Sequence, residues 1–133
     1  MTIIVCIDDK NGMLFAGKRQ SKDRILRERM LQHANGRALW MSTYSASQFE
    51  EGGNFIVDDD YAVKAATDDV CFVENGAIPL DKADRLIIYH WNRHYPATTF
   101  WTIDPAAEGF SLRSTHEFTG FSHDLITEEI FER

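Results

Sequence analysis

The sequence predicts a single α/β domain, residues 1–133, built on one mixed sheet that is parallel in its early strands and antiparallel at its C-terminal end. Three observations predict it. Apolar runs rich in β-branched residues alternate with helical segments through the first half of the chain. From residue 85 onward, strand-like runs follow one another without a helix between them. Finally, 133 residues of which 44% are hydrophobic suffice for one core closed without disulfides or metal.

Residues 2–7, TIIVCI, read as a central strand ended by the turn chemistry of DDKNG. Residues 22–34 read as a helix: Ile25, Leu26, Met30 and Ala34 make one apolar stripe, and Asn35-Gly36 suits a C-terminal cap. Residues 37–42, RALWMS, predict a second buried strand, followed by a short helix starting at Ser45 or Ser47. A glycine turn leads into a short strand at 55–57, and a small helix at 61–66 precedes the apolar run 70–73. RLIIYHW, FWTID, FSLRSTHEF and the closing LITEEIFER supply the β-rich remainder. The continuous apolar runs at 3–7, 38–41 and 70–73 suit strands covered on both faces, so they are expected side by side and parallel at the sheet centre. No repeat, linker or low-complexity segment interrupts the pattern.

A formal charge of -7 argues against nucleic-acid and anionic-membrane partners, which require a concentrated positive field. No apolar run approaches a membrane span, and no basic segment precedes the first apolar run, so a cytoplasmic protein is expected. The charge is uneven, however. Residues 18–29 carry six bases against Asp23 and Glu28, a local +4. Two readings stand: the solvated face of a helix, or an anion site in which Lys18, Arg19 and Lys22 surround a helix N-terminus capped by Ser21.

Cys6 and Cys71 each lie inside an apolar strand-like run and read as buried thiols that could pair only if their strands are neighbours. His90 and His94 have the spacing that chelates zinc on a helix, but along a strand four residues span roughly 13 Å, too far to share an ion. The run Asp58-Asp59-Asp60 lacks the alternation and glycine of a calcium loop and reads as a turn before a helix. There is no Gly-x-Ser-x-Gly elbow and no Walker loop. No metal is expected.

Taken in order, these segments resemble dihydrofolate reductase across nearly the whole chain. IIVCIDDKNGMLFAGK looks like that family's opening strand and loop, with Gly12 and Gly17 keeping the spacing of its two glycines. GRALWMSTYSASQF is similar to the family's Met-Gly-Arg-x-Thr segment, FVENGAIPLDKADRLIIYHW to its Gly-Gly-Gly segment and following strand, and EEIFER to its closing strand. The resemblance implies a three-layer sheet of about eight strands, with NADPH lying across the carboxyl ends of the central strands.

The same resemblance marks departures at the cofactor positions. Family glycines that bare the backbone to the cofactor pyrophosphate match Glu74 and Asn75, ahead of Gly76. The phosphate-binding arginine matches Thr43, the cap threonine matches Ser45, and the pair that receives the 2'-phosphate matches Asp58-Asp59. The residues that roof the substrate become Arg19-Gln20-Ser21. One element persists: Asp23 matches the substrate-binding carboxylate, although an acid at a helix N-terminus has a purely structural reading as well. The expected function is therefore a divergent reductase-like protein without the standard cofactor, binding an unknown small molecule or protein. The alternative is an NADPH-dependent reductase of a pterin-like or flavin-like ring.

Overall fold

The computed structural model describes residues 1–133. In chain order it contains strands β1 (Thr2–Ile7), β2 (Gly12–Phe15) and β3 (Lys18–Arg19), helix α1 (Arg24–Ala34), strand β4 (Leu39–Met41), helix α2 (Thr43–Ala46) and strand β5 (Phe55–Val57). Helix α3 (Tyr61–Lys64), β6 (Val70–Phe72), a 3-10 turn (Leu80–Lys82), β7 (Arg85–His90), β8 (Thr99–Phe100), β9 (Ser111–Phe118) and β10 (Ile126–Glu132) complete it. A seven-stranded sheet runs β5-β4-β6-β1-β7-β10-β9, and a small three-stranded sheet runs β3-β2-β8. The fold is the expected mixed α/β sheet. β5, β4, β6, β1 and β7 are parallel, and β10 and β9 add antiparallel pairs.

The three continuous apolar runs are neighbours at the centre, as their composition requires. Ile3 pairs with Cys71, and Leu39 with Val70. Successive residues of β1 point to opposite faces, which produces two cores. Ile3, Val5 and Ile7 pack with Met1, Tyr61, Trp101 and Phe110 on one side; Ile4 packs with Leu26, Met30 and Tyr89 under α1 on the other. Cys71 belongs to the first core, and Cys6 packs against the second. Although their strands are adjacent, the sheet separates the thiols, and both are free.

Several boundaries differ from expectation. Residues 18–29 do not form one helical face: Lys18 and Arg19 belong to β3, and α1 begins only at Arg24. β2 and β3 form a hairpin closed by Ala16-Gly17, with Phe15 opposite Lys18. Both turn residues have positive φ, 50° and 76°, as a two-residue turn matched to strand twist requires. The cap of α1 is Asp23, not Ser21, and the cap of α2 is Ser42, not Ser45 or Ser47. Ser42 lies extended at the end of β4 and accepts from the Ser45 N–H, so the helix starts as soon as the strand ends. The predicted helix at 61–66 closes at Lys64, the strand expected from FWTID is reduced to β8, and the main sheet has seven strands rather than eight.

Candidate functional site

The parallel strands deliver Asp8, Ser42, Asp58, Glu74 and Trp91 to one edge of the sheet, each at or just beyond a strand's carboxyl end. Ligand sites of open α/β sheets lie at this edge. Here much of it is closed by the chain's own ion pairs. Glu74, one residue past buried Val73, accepts from Nε and Nη2 of Arg19, both at 3.2 Å, and from Nε2 of Gln48 at 3.1 Å. Arg19 also donates Nη2 to the Tyr44 carbonyl at 2.8 Å, and its guanidinium lies over the Tyr44 ring at 4.2 Å. The Tyr44 hydroxyl in turn accepts from the Arg19 backbone N–H. Glu74 is thereby locked to the hairpin and to α2 together.

Beside this pair runs a groove of about 330 Å³ lined by Ser42, Thr43, Tyr44, Asp59, Asn75 and Gly76, with Tyr61 at its wall. Its lining contains one carboxylate and no lysine, arginine or histidine. The N-terminus of α2 faces it, but two of its donors are already taken: the Thr43 N–H donates to Oδ1 of Asp59 at 2.8 Å, and Ser42 takes the Ser45 N–H. Ser42 Oγ donates to Oδ1 of Asn75 at 2.8 Å, tying the strand ends of β4 and β6. Asp58 is held by Lys64 and by the Asp60 N–H. Gly76 is required by a close approach: a Cβ there would strike the Tyr61 hydroxyl, which donates to the Ala77 carbonyl.

On the other side of the hairpin, Asp8 is buried and accepts from the N–H groups of Lys10, Gly12 and Tyr95 and from Nε2 of Gln20. Burial alone would raise its pKa, and these four donors outweigh it and hold the carboxyl below its ordinary value. Gly12 leaves room for this arrangement, since a Cβ would sit 2.6 Å from Gln20 Nε2 and 2.9 Å from Asp8 Oδ1. Gly12 and Gly17 thus have local structural reasons, a close approach and a turn.

Asp23 is 2% exposed and fully engaged. Its Oδ1 accepts from the N–H groups of Ile25, Leu26 and Phe121; its Oδ2 accepts from the Ser122 N–H at 2.9 Å and from Nδ1 of His123 at 2.8 Å. Burial opposes the charge, but the donors, led by Ser122 and His123, bring its pKa down to about 2. Nε2 of His123 lies 2.8 Å from Ser21 Oγ, and the Trp91 ring packs on the imidazole with centroids 4.6 Å apart.

Of the residues singled out in the sequence, Thr43, Asn75 and Gly76 line one groove, with Glu74 and Arg19 paired beside it; Ser45 is fully buried behind Ser42 and does not reach the groove. Lys18, Arg19, Ser21 and Lys22 do not converge on a common point: Lys18 is exposed, Arg19 holds Glu74, Ser21 holds His123, and Lys22 reaches Glu50 at 3.3 Å on the surface. His90 pairs with Glu129, and no group of three potential metal ligands occurs. Gln48, Tyr44 and His123 escaped the sequence reading; each acts through a partner 25 or more positions away.

A dihydrofolate reductase from Enterococcus faecalis, solved in complex with NADP(H) and RAB-propyl, superposes on this chain with a TM-score of 0.68, covering 99% of this chain and 95% of its own. The two are 11% identical. The likeness shows a dihydrofolate reductase-like fold. No family model matches the sequence, and no curated protein does.

Proposed function

We propose that this chain uses a dihydrofolate reductase-like scaffold without the reduced nicotinamide cofactor, as a cytoplasmic binding module for a small molecule or a protein at the carboxyl edge of its sheet. The observation that carries this reading is the Arg19–Glu74 pair. It places a carboxylate where the resemblance expects bare glycine backbone, and it neutralises the arginine nearest the groove. The groove lining adds Asp59 and no cation, and the Thr43 N–H at the α2 N-terminus already serves that carboxylate. These residues do not fit a pyrophosphate, which needs donors and positive charge. Asp23 supports the same reading, because an amino-substituted ring would have to displace a donor already bound to it.

The groove is instead suited to a neutral or amine-bearing small molecule, which Asp59, Asn75 and the Tyr44 ring could hold by hydrogen bonds and stacking. The second reading, a reductase of a pterin-like or flavin-like ring with a remodelled NADPH site, draws on the groove's persistence and on the NADP(H) complex of the Enterococcus enzyme. It requires Arg19 to leave Glu74. Amide chemical-shift mapping separates the two: neutral and amine-bearing heterocycles should perturb Ser42, Thr43 and Asn75, whereas NADPH should not. Saturable NADPH shifts at those residues would establish the second reading.

A further inference from the structure

Ser21, His123 and Asp23 form a hydrogen-bonded series that the groove does not use. We propose that it is a nucleophilic site for small acyl esters, with Ser21 as nucleophile, His123 as its general base and Asp23 as the positioning residue. The geometry is that of a serine–histidine–carboxylate relay, recognised by roles rather than by sequence order. Both links are 2.8 Å long. An ionised carboxylate can only accept, so His123 Nδ1 carries the proton toward Asp23. That tautomer leaves Nε2 as an acceptor facing the Ser21 hydroxyl.

The surroundings fix this arrangement. Asp23 is held by α1 from one side and by the loop between β9 and β10 from the other. The loop is closed by the Gly120 N–H donating to the His123 carbonyl at 2.9 Å. Gly120 lies so near the carboxylate that an added Cβ would be 2.5 Å from Asp23 Oδ2. Trp91 covers one face of the imidazole. His123 and Asp23 are 5% and 0% exposed at their side chains, while Ser21 is only partly buried, so the series runs from the interior to an accessible hydroxyl.

The substrate class follows from the space beside Ser21. The residue borders a small hollow shared with Cys6, Val73, Glu74 and Trp91, with room for about one water molecule. Gln20 lines the same hollow and carries a buried side-chain oxygen with no partner, an acceptor for a water or a substrate N–H. A single methyl, that of an acetyl ester, is what this space admits, with the ester carbonyl and leaving group on the solvent side. The N–H groups of Lys22 and Asp23, next to Ser21 in sequence, make no hydrogen bond within the chain and are the unpaired donors left for a developing oxyanion.

In the reaction, Ser21 Oγ bonds to the ester carbonyl carbon and its proton passes to His123 Nε2. Collapse of the tetrahedral adduct breaks the carbon–oxygen bond to the leaving alcohol, which takes that proton. Water then attacks acyl-Ser21 by the same transfer, giving the carboxylic acid and restoring the hydroxyl.

The test uses the full chain with a small alkyl fluorophosphonate and with p-nitrophenyl acetate, adducts being located by peptide mass spectrometry. The expected result is one adduct, on Ser21. Ser21→Ala should abolish it, His123→Gln should slow it roughly a hundredfold, and Ser114→Ala, on exposed β9, should leave it unchanged. Circular dichroism checks that the variants fold. Should His123→Gln not fold, Ser21→Cys carries the test, its thiol reacting with iodoacetamide at pH 6 at least about tenfold faster than free cysteine. No adduct on Ser21, equal labelling in folded His123→Gln, or a thiol in Ser21→Cys that reacts no faster than free cysteine would overturn the proposal.

Discussion

Arg19 and Glu74, 55 positions apart, meet in a two-point ion pair across the carboxyl edge of the sheet, each guanidinium nitrogen 3.2 Å from its carboxylate oxygen. Their side chains are 18% and 10% exposed, so the pair is largely withdrawn from water. It joins the β2–β3 hairpin to the end of β6 and removes the arginine nearest the groove from service as a free cation.

Breaking this pair from one side should cost more than removing it. Arg19→Ala leaves Glu74 with Gln48 alone, and a loss of about 2 to 3 kcal/mol is expected in urea unfolding at pH 7. The double variant Arg19→Met/Glu74→Met should recover most of that loss, because no uncompensated charge remains. A double variant less stable than Arg19→Ala would show that the ion pair itself, rather than relief from an unpaired charge, stabilises the fold.

Acid should destabilise the protein through two buried carboxylates. Burial raises the pKa of Glu128, but donors from His33, Arg29 and the Tyr89 hydroxyl outweigh it and hold it at about 2, alongside Asp23 at about 2. Both folded values lie below those of an unfolded chain, so their stabilisation is complete above about pH 5 and disappears as pH falls from there toward 2. After allowance for solvent screening, each is worth about 1 to 2 kcal/mol. Glu128→Gln should flatten this acid limb and cost about 2 to 4 kcal/mol at pH 7, since Arg29 loses its counter-charge. An unchanged pH profile in that variant would contradict the assignment.

Both thiols should be inert in the native protein. Burial pushes the Cys71 thiol up to about 12, and burial together with the nearby Glu74 charge raises Cys6 well above its ordinary value. At pH 8 Cys71 is a thiolate about once in ten thousand molecules, so a disulfide reagent should titrate fewer than one thiol per chain in an hour. Unfolding should release both. Fast native reaction of Cys71 would mean that its sheet face opens readily; Cys6 is only half-buried, so its fast reaction would instead mean that burial and the Glu74 charge do not hold its thiol protonated.

The central sheet was legible in the sequence because the apolar runs at 3–7, 38–41 and 70–73 have no polar face, a pattern that suits doubly covered strands. The hairpin was not, because its turn places Ala16, a residue without turn preference, at positive φ. Choice of helix caps was equally hidden. Ser21 and Asp23 are both good N-caps, and the loop at 121–123, a hundred positions away, decides for Asp23. Glu74 stood out as a departure from glycine, but its partner Arg19 lies among six bases that nothing local distinguishes. His123 carried no spacing signal at all.

The central claim, that this scaffold has no working nicotinamide-cofactor site, is tested most directly by calorimetric titration of the native chain with NADPH, with and without a pterin-like ligand. On the proposed reading, Glu74 and Asp59 stand where phosphate-binding contacts worth about 1 kcal/mol each would be needed, and several such losses would turn a micromolar site into a millimolar one. No saturable heat is therefore expected up to about 100 µM cofactor. Saturation in the low micromolar range, tightened further by Glu74→Gly, would contradict the account and establish a reductase-type cofactor site.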